Sequence, residues 1–246
     1  MSETPCLEVR GACAGYGAIQ VLWDIDLVVP EGSAVVLLGS NGAGKSTLLR
    51  CIMGLVPLWR GEVSYQGQRI TGWAPDKRVA ASISYVSEVG VFAGLSVEDN
   101  LRACGTGLSS REMKAALART WEAFPLLAQR RRSAAGSLSG GQRKLLGLAK
   151  GLFRQPRLLL LDEPSAGLAP VVVNEVVATL AAVRSTENVT LLLAEQNARA
   201  LDLADRVAVI HGGRKGFDGS VQEFRAEVDI TAEFFGLPSA EVRGPS

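Results

Sequence analysis

The stretch GSNGAGKST (39–47) constrains this chain more than any other feature. It satisfies the G-x-x-x-x-G-K-[ST] pattern, follows the apolar run SAVVLLG (33–39) and precedes the apolar stretch LLRCIMGL (48–55), which has a helical pattern. The chemistry explains the spacing. Glycines let successive backbone N–H groups turn inward into an anion nest, and a helix beginning there adds its positive end. Gly42 and Gly44 serve that close approach. Lys45 is expected to reach β- and γ-phosphates, Ser46 to ligate Mg²⁺ and Thr47 to support an α-phosphate. Gly39, Ser40, Asn41, Gly42, Ala43, Gly44, Lys45, Ser46 and Thr47 together form the candidate nucleotide-binding loop.

The run preceding this loop is apolar without alternation, as expected of a strand covered on both faces. LLLLD (158–162), VTLLLAE (189–195) and RVAVIHGG (206–213) read the same way, with helical patterns at about 141–153, 171–184 and 197–203. Strands alternating with helices indicate βαβ units and a mainly parallel sheet, the α/β class. LEVRGA (7–12), WDIDLVV (23–29) and GEVSYQG (61–67) instead read as antiparallel strands of a side sheet. Residues from roughly 89 to 150 lack strong strand patterns. Ser96 and Asp99 have capping-box-like spacing before one helix, and 109–124 carries apolar residues at helical intervals, so this region reads as an inserted helical subdomain. The tail from about 220 holds two short helix candidates followed by a fraying end.

A second element supports the phosphate reading. LLLLDEP (158–164) is a buried strand ending in two carboxylates, of which Asp162 would hold Mg²⁺, directly or through water, and Glu163 would polarise the attacking water. The pair carries weight through its co-occurrence with Lys45 and Ser46.

Charge and composition exclude several other classes. Twenty-six Lys plus Arg against 25 Asp plus Glu leave a net charge of +1, so no global pull toward nucleic acid or acidic lipid is expected. The basic run Arg130, Arg131, Arg132 reads as a solvated helix end. Cys6, Cys13, Cys51 and Cys104 form no CxxC pair and no metal-ligand spacing with the sole histidine, His211, which suits a reducing cytosol. The polar N-terminus does not read as a signal peptide, and no stretch approaches the ~18 continuous apolar residues of a spanning helix. Membrane association is therefore expected to go through a partner.

LSGGQRK (138–144), lying between the two phosphate motifs and just before a helical pattern, completes a triple that resembles the motifs of ABC-type ATPases. The resemblance covers about residues 7–236. It implies one P-loop NTPase domain of ABC type over 1–246, with a core at about 7–88 and 151–236 and a helical subdomain at about 89–150. It also implies ATP and Mg²⁺ as the nucleotide and its metal. Ser139, Gly140, Gly141 and Gln142 would close over the γ-phosphate bound to a second ATPase chain, so two chains would sandwich two ATPs. AGYG (14–17) resembles the aromatic loop that would stack Tyr16 on adenine, and 83–101 resembles the loop that contributes a metal and water ligand, here Glu88, and contacts the membrane subunit.

DEPSAGLAP, EQNARAL and the Glu at position 88 resemble one branch, the ATP-binding subunits of branched-chain amino acid importers, with urea and short-chain amide importers close by. Two positions depart from that branch: Ser87 stands where a proline is usual, and LSGGQRK replaces LSGGEQQ. Ala169 likewise occupies the aspartate position of the usual Asp-Pro that ends the family's D-loop. The implied partners are polytopic permease subunits, a second ABC ATPase chain in a hetero- or homodimer, and indirectly a solute-binding protein, with no nucleic acid. The implied place is the cytoplasmic face of the cell membrane, peripherally bound. Two rival readings stay open: an ATP-binding regulatory or structural subunit with weak hydrolysis, and a soluble ABC ATPase without a transport role.

LLLAEQNARALDLADRV (191–207) turns abruptly polar after an apolar run. By resemblance it is the switch strand, whose terminal histidine ordinarily contacts the γ-phosphate; Gln196 falls at that position. An amide can donate a hydrogen bond to phosphate but brings no positive charge. Glu163, Lys45 and Gln196 are thus the candidate catalytic residues, and Ser46, Asp162 and Glu88 the candidate metal ligands.

Overall fold

The computed structural model describes residues 5–87 and 90–226. Four strands carry the central sheet: β3 (Ala34–Leu38), β7 (Leu158–Asp162), β8 (Thr190–Glu195) and β9 (Arg206–His211). Every residue of β3, β7 and β8 is buried, which is the physical meaning of their unbroken apolar runs. With β6 (Ile83–Val86) and β10 (Arg214–Ser220) they form a six-stranded sheet of order β10-β9-β3-β8-β7-β6, parallel except for the β10–β9 edge pair. The α/β class and mainly parallel core sheet expected from the sequence are present.

The sheet's two faces enter different cores. Val35, Leu37, Leu158, Leu160, Leu192 and Ala194 pack toward helix α1 (Lys45–Met53) and the side sheet. Val36, Leu159, Leu161, Leu191 and Leu193 pack toward α6 (Gly140–Leu152) and α7 (Pro170–Glu187). The side sheet has the order β2-β1-β4-β5, built from β1 (Leu7–Tyr16), β2 (Ile19–Val29), β4 (Arg60–Tyr65) and β5 (Gln68–Arg69), antiparallel throughout. Helix α1 is therefore held between two sheets, which fixes the loop at its start.

Helices α3 (Val97–Cys104), α4 (Ser110–Ala123) and α5 (Pro125–Gln129) fill the helical insertion before α6. Ser96 caps α3 by accepting from Asp99 N at 3.0 Å, as its spacing predicts. Ser109 and Glu112 form a full capping box at α4. The arginines from 130 to 132 are exposed past the end of α5, the solvated helix end expected of them. The sequence reading did not contain β6, inside a stretch read as loop, nor β5, β10, the short α2 (Pro75–Ala80) or α5. Of the two tail helices, the first is α8 (Val221–Ala226) and the second lies outside the described residues. All four cysteines are free, and no described helix is long and apolar enough to cross a membrane.

One buried charge steadies α1. Arg78, on α2, is 3% exposed and donates to the carbonyls of Cys51, Ile52, Ile70 and Trp73. Two of these acceptors lie in the last turn of α1, where carbonyls lack helical partners. Gly54 ends the helix at φ 77°, and a Cβ there would meet the Arg78 guanidinium at 2.9 Å. Arg78→Met keeps most of the bulk and strands the Ile52 and Trp73 carbonyls, while Cys51 O and Ile70 O keep the Gly54 and Trp73 amides, so it should lower stability by about 3 kcal/mol in urea unfolding. An unchanged midpoint would show that the carbonyls find other partners.

Candidate functional site

Strand register brings three chain segments to one edge of the sheet. Leu38 pairs with Glu195 across β3 and β8, and Asp162 pairs with Ala194 across β7 and β8. The loop after β3, the carboxylates after β7 and the amides after β8 therefore emerge side by side. This edge lies beyond the carboxyl ends of the parallel strands, where open α/β sheets bind ligands.

The loop 39–47 wraps into the start of α1. Gly42 and Gly44 have φ of 78° and 109°, the left-handed backbone that turns amides inward, and a Cβ on Gly44 would meet Leu22 at 2.9 Å. Lys45 is 3% exposed. Its Nζ donates to the carbonyls of Gly39 at 2.8 Å and Ser40 at 3.1 Å and lies 3.5 Å from Glu163 Oε1. A cleft of about 360 Å³ opens above the loop, bordered by Val21, residues 41–47 and Glu163. Left-handed glycines, a helix start and an ammonium give this loop the chemistry of an anion site.

Ser46 Oγ donates to Asp162 Oδ1 at 2.6 Å, so the two expected metal ligands adjoin. A hydroxyl and a carboxylate are hard oxygen donors; together with phosphate oxygens and water they match what Mg²⁺ prefers. Asp162 Oδ2 accepts from the Tyr85 hydroxyl at 2.8 Å. Burial and the Asp162 charge push the Tyr85 phenol up to about 12, so it stays protonated and donates.

Glu163 is held at every polar group. Its backbone has φ 50°, an uncommon left-handed conformation for a residue with a side chain. The conformation is fixed by Glu163 N donating to Ala194 O at 2.9 Å and by Lys144 Nζ donating to Glu163 O at 2.9 Å. Gln196 Nε2 lies 2.8 Å from both carboxylate oxygens of Glu163. The structure thus joins Gln196 to Glu163, a contact that the sequence reading did not contain. Glu195 is 2% exposed and accepts from Ser165 N at 2.9 Å, tying the next turn to β8.

The remaining sequence candidates occupy other places. Tyr16, at the end of β1, is 45% exposed, and its hydroxyl accepts from Arg50 Nη1 at 3.2 Å. Ser139 and Gln142 form the capping box of α6: Gln142 N donates to Ser139 Oγ at 3.2 Å and Ser139 N to Gln142 Oε1 at 3.1 Å. A hydroxyl that accepts keeps its own hydrogen to donate. Gly140 has open space at its Cβ position, whereas a Cβ on Gly141 would meet Val172 of α7 at 2.7 Å. Glu88 lies outside the described residues. Sequence reasoning missed Tyr85, Arg50, Lys144 and Glu195 as site residues. Of these, Arg50 carried a signal, since it stands four residues after Ser46 and so on the same face of α1.

The family model described as ABC transporter matches residues 22–166, which include the phosphate loop, the 138–144 motif and both carboxylates. The chain is 40% identical over 201 residues to the high-affinity branched-chain amino acid transport ATP-binding protein BraG of Pseudomonas aeruginosa, covering 81% of this chain and 86% of that one. It is 36% identical over 212 residues to the probable branched-chain amino acid transport ATP-binding protein LivF of Archaeoglobus fulgidus, covering 85% and 90%. Among solved structures, an ATP-binding cassette of an ABC transporter superposes with a TM-score of 0.85 at 23% identity, covering 95% of this chain and 98% of that one. An ATP-binding subunit of an ABC transporter gives a TM-score of 0.76 at 29% identity, covering 98% and 95%.

Burial pushes the Glu195 carboxyl above its ordinary range, outweighing the hydrogen bonds from Ser165, and the nearby Glu163 charge adds to the rise. A carboxyl whose folded pKa is raised favours the fold at low pH and works against it once pH climbs through that folded value. Glu195→Gln keeps an oxygen acceptor for Ser165 N and removes the ionisation. The variant should therefore gain melting temperature over the native chain at pH 8 and lose that advantage toward pH 4. A difference that does not vary with pH would rule out a raised Glu195.

Proposed function

Because the chain belongs to the ABC transporter family, whose ATP-binding chains hydrolyse ATP, we propose that it powers a membrane importer for branched-chain amino acids or related amides. The observation that carries the reading is the convergence of Lys45, Ser46, Asp162, Glu163 and Gln196 at one sheet edge. The solute class rests on the names and coverage of BraG and LivF. The whole chain acts as one ATPase domain. Its partners are permease subunits, a second ABC ATPase chain and, through the permeases, a solute-binding protein, and its place is the cytoplasmic face of the membrane. Nucleic acid is not among them.

ATP binds with its phosphates in the cleft above the loop 39–47 and its base on Tyr16. Lys45 then exchanges its contacts with the Gly39 and Ser40 carbonyls and Glu163 for phosphate oxygens. Ser46 and Asp162 are the residues that would hold Mg²⁺, with Glu88 as a further ligand; the ion supplies charge neutralisation on the phosphates. Glu163, released from Lys45, polarises the attacking water. Gln196 holds the carboxylate in place and donates toward the γ-phosphate when the site fills. Gly140, Gly141, Gln142 and the Ser139 hydroxyl of the second chain complete the site, so closure of two chains drives the permeases and hydrolysis resets them.

Helix α6 gives that coupling a route. It starts at Ser139, touches Glu163 O through Lys144, and at its far end Lys150 Nζ donates to Gly90 O at 2.6 Å and lies over the Phe92 ring. There a groove of about 560 Å³ runs between β6 and α6, with exposed Leu55 and Phe92 on its rim. This is the surface on which a permease segment would seat.

Glu163→Gln should keep ATP binding, lose turnover and accumulate a closed dimer in sedimentation. Undiminished turnover would remove Glu163 from its role. Gln196→Ala removes an amide that donates to a carboxylate, a contact to a charged group of ~1.5–3 kcal/mol, which slows turnover by about 10- to 100-fold with little loss of ATP affinity. The native chain should show no rate step near the ~6.5 pKa of histidine. Equal turnover in Gln196→Ala would make that residue a bystander. A purified chain with no steady-state ATP turnover at all would favour the regulatory reading.

A further inference from the structure

A line of polar side chains runs beneath the proposed nucleotide site. Asp162 uses both oxygens, accepting from Ser46 at 2.6 Å and from Tyr85 at 2.8 Å. The Arg50 guanidinium is near enough to the Tyr85 phenol for the two to interact electrostatically. Arg50 Nη1 in turn donates to the Tyr16 hydroxyl at 3.2 Å. Ser46 and Arg50 stand one helical turn apart on α1, so the line leaves that helix at Ser46, passes through β7 and β6, and returns to it at Arg50 before reaching β1.

The two ends of this line do different work in the proposed site. Ser46 and Asp162 are its metal donors, and Tyr16 is its base platform. Groups that hydrogen-bond a metal ligand orient it and set its basicity. With one oxygen of Asp162 tied to Tyr85, the carboxylate has a fixed plane and a single oxygen directed at Ser46. With Arg50 on its hydroxyl, the half-exposed Tyr16 ring has a fixed tilt.

We infer that Tyr85 and Arg50 are positioning residues, Tyr85 for the carboxylate that would hold Mg²⁺ and Arg50 for the ring that would stack the base, and that their proximity couples the two ends. The inference rests on the nucleotide reading above and adds residues and a coupling that it does not contain.

Calorimetric titration of the full chain separates the roles, using ATP with Mg²⁺, ATP with EDTA, and inorganic triphosphate, which has no base. Tyr85→Phe keeps the ring and should leave ATP binding in EDTA unchanged while cutting the Mg²⁺-dependent gain roughly tenfold, the scale of a lost bond to a charged group. Arg50→Met should weaken ATP in EDTA by about fivefold and spare triphosphate, and Arg50→Lys should restore part of the loss. In Mg²⁺ the double variant should lose less than the product of the single losses, as coupled neighbours do. A Tyr85→Phe chain with the native Mg²⁺ gain, an Arg50→Met chain that loses triphosphate as much as ATP, or multiplicative losses would overturn the inference. If Tyr85→Phe does not fold, the Arg50 pair decides through the ATP-to-triphosphate ratio. A native chain that binds ATP with no Mg²⁺ gain would instead overturn the metal reading beneath the inference.

Discussion

A lysine ammonium enclosed to 3% exposure is the constraint around which the site is arranged. An unpaired buried charge costs several kcal/mol, so Lys45 must be matched. Its partners are two loop carbonyls at 2.8 and 3.1 Å and the Glu163 carboxylate at 3.5 Å. Those partners come from different strands, so the pairing works only if β3 and β7 end at the same level with β8 between them. The register of buried aliphatic residues sets that level. Gln196 then closes the group from β8 by binding the carboxylate that faces the ammonium.

An ammonium paired this way is also available to a ligand. Phosphate oxygens offer Lys45 more negative charge than two carbonyls and a shared carboxylate, so in the proposed function nucleotide binding would strip Glu163 of its cation and leave it facing the cleft. Ammonium, hydroxyl and carboxylates are held by the fold around one cleft, the kind of fixed arrangement that phosphoryl transfer relies on.

The sequence made the central strands legible because a strand covered on both faces has to be apolar throughout, and β3, β7 and β8 are buried at every position. β6 escaped notice because ISYV is short and sits at the sheet edge with three of its four residues only half-buried. β10 escaped because RKGFDGS looks like a turn; it is held by pairing with β9 and by Asp218, which bridges Arg206 at 2.9 Å and Lys215 at 2.7 Å. The phosphate loop and the Asp-Glu pair could be read because their chemistry demands fixed residue types at fixed spacing. Tyr85, Lys144 and Glu195 could not, because each acts through a partner far away in the chain. The bond between Gln196 and Glu163 belongs to the same class: the resemblance gave Gln196 a role toward phosphate, and only the fold revealed the carboxylate beside it.

Calorimetric titration of ATP into the native chain and into Lys45→Met tests the central claim most directly. The account predicts one ATP bound per native chain in the presence of Mg²⁺ and a loss of roughly 100-fold or more in Lys45→Met, the scale expected when a charged contact to phosphate is removed and the partly buried Glu163 loses its cation. Equal affinity in the two chains, or no ATP binding by the native one, would contradict it.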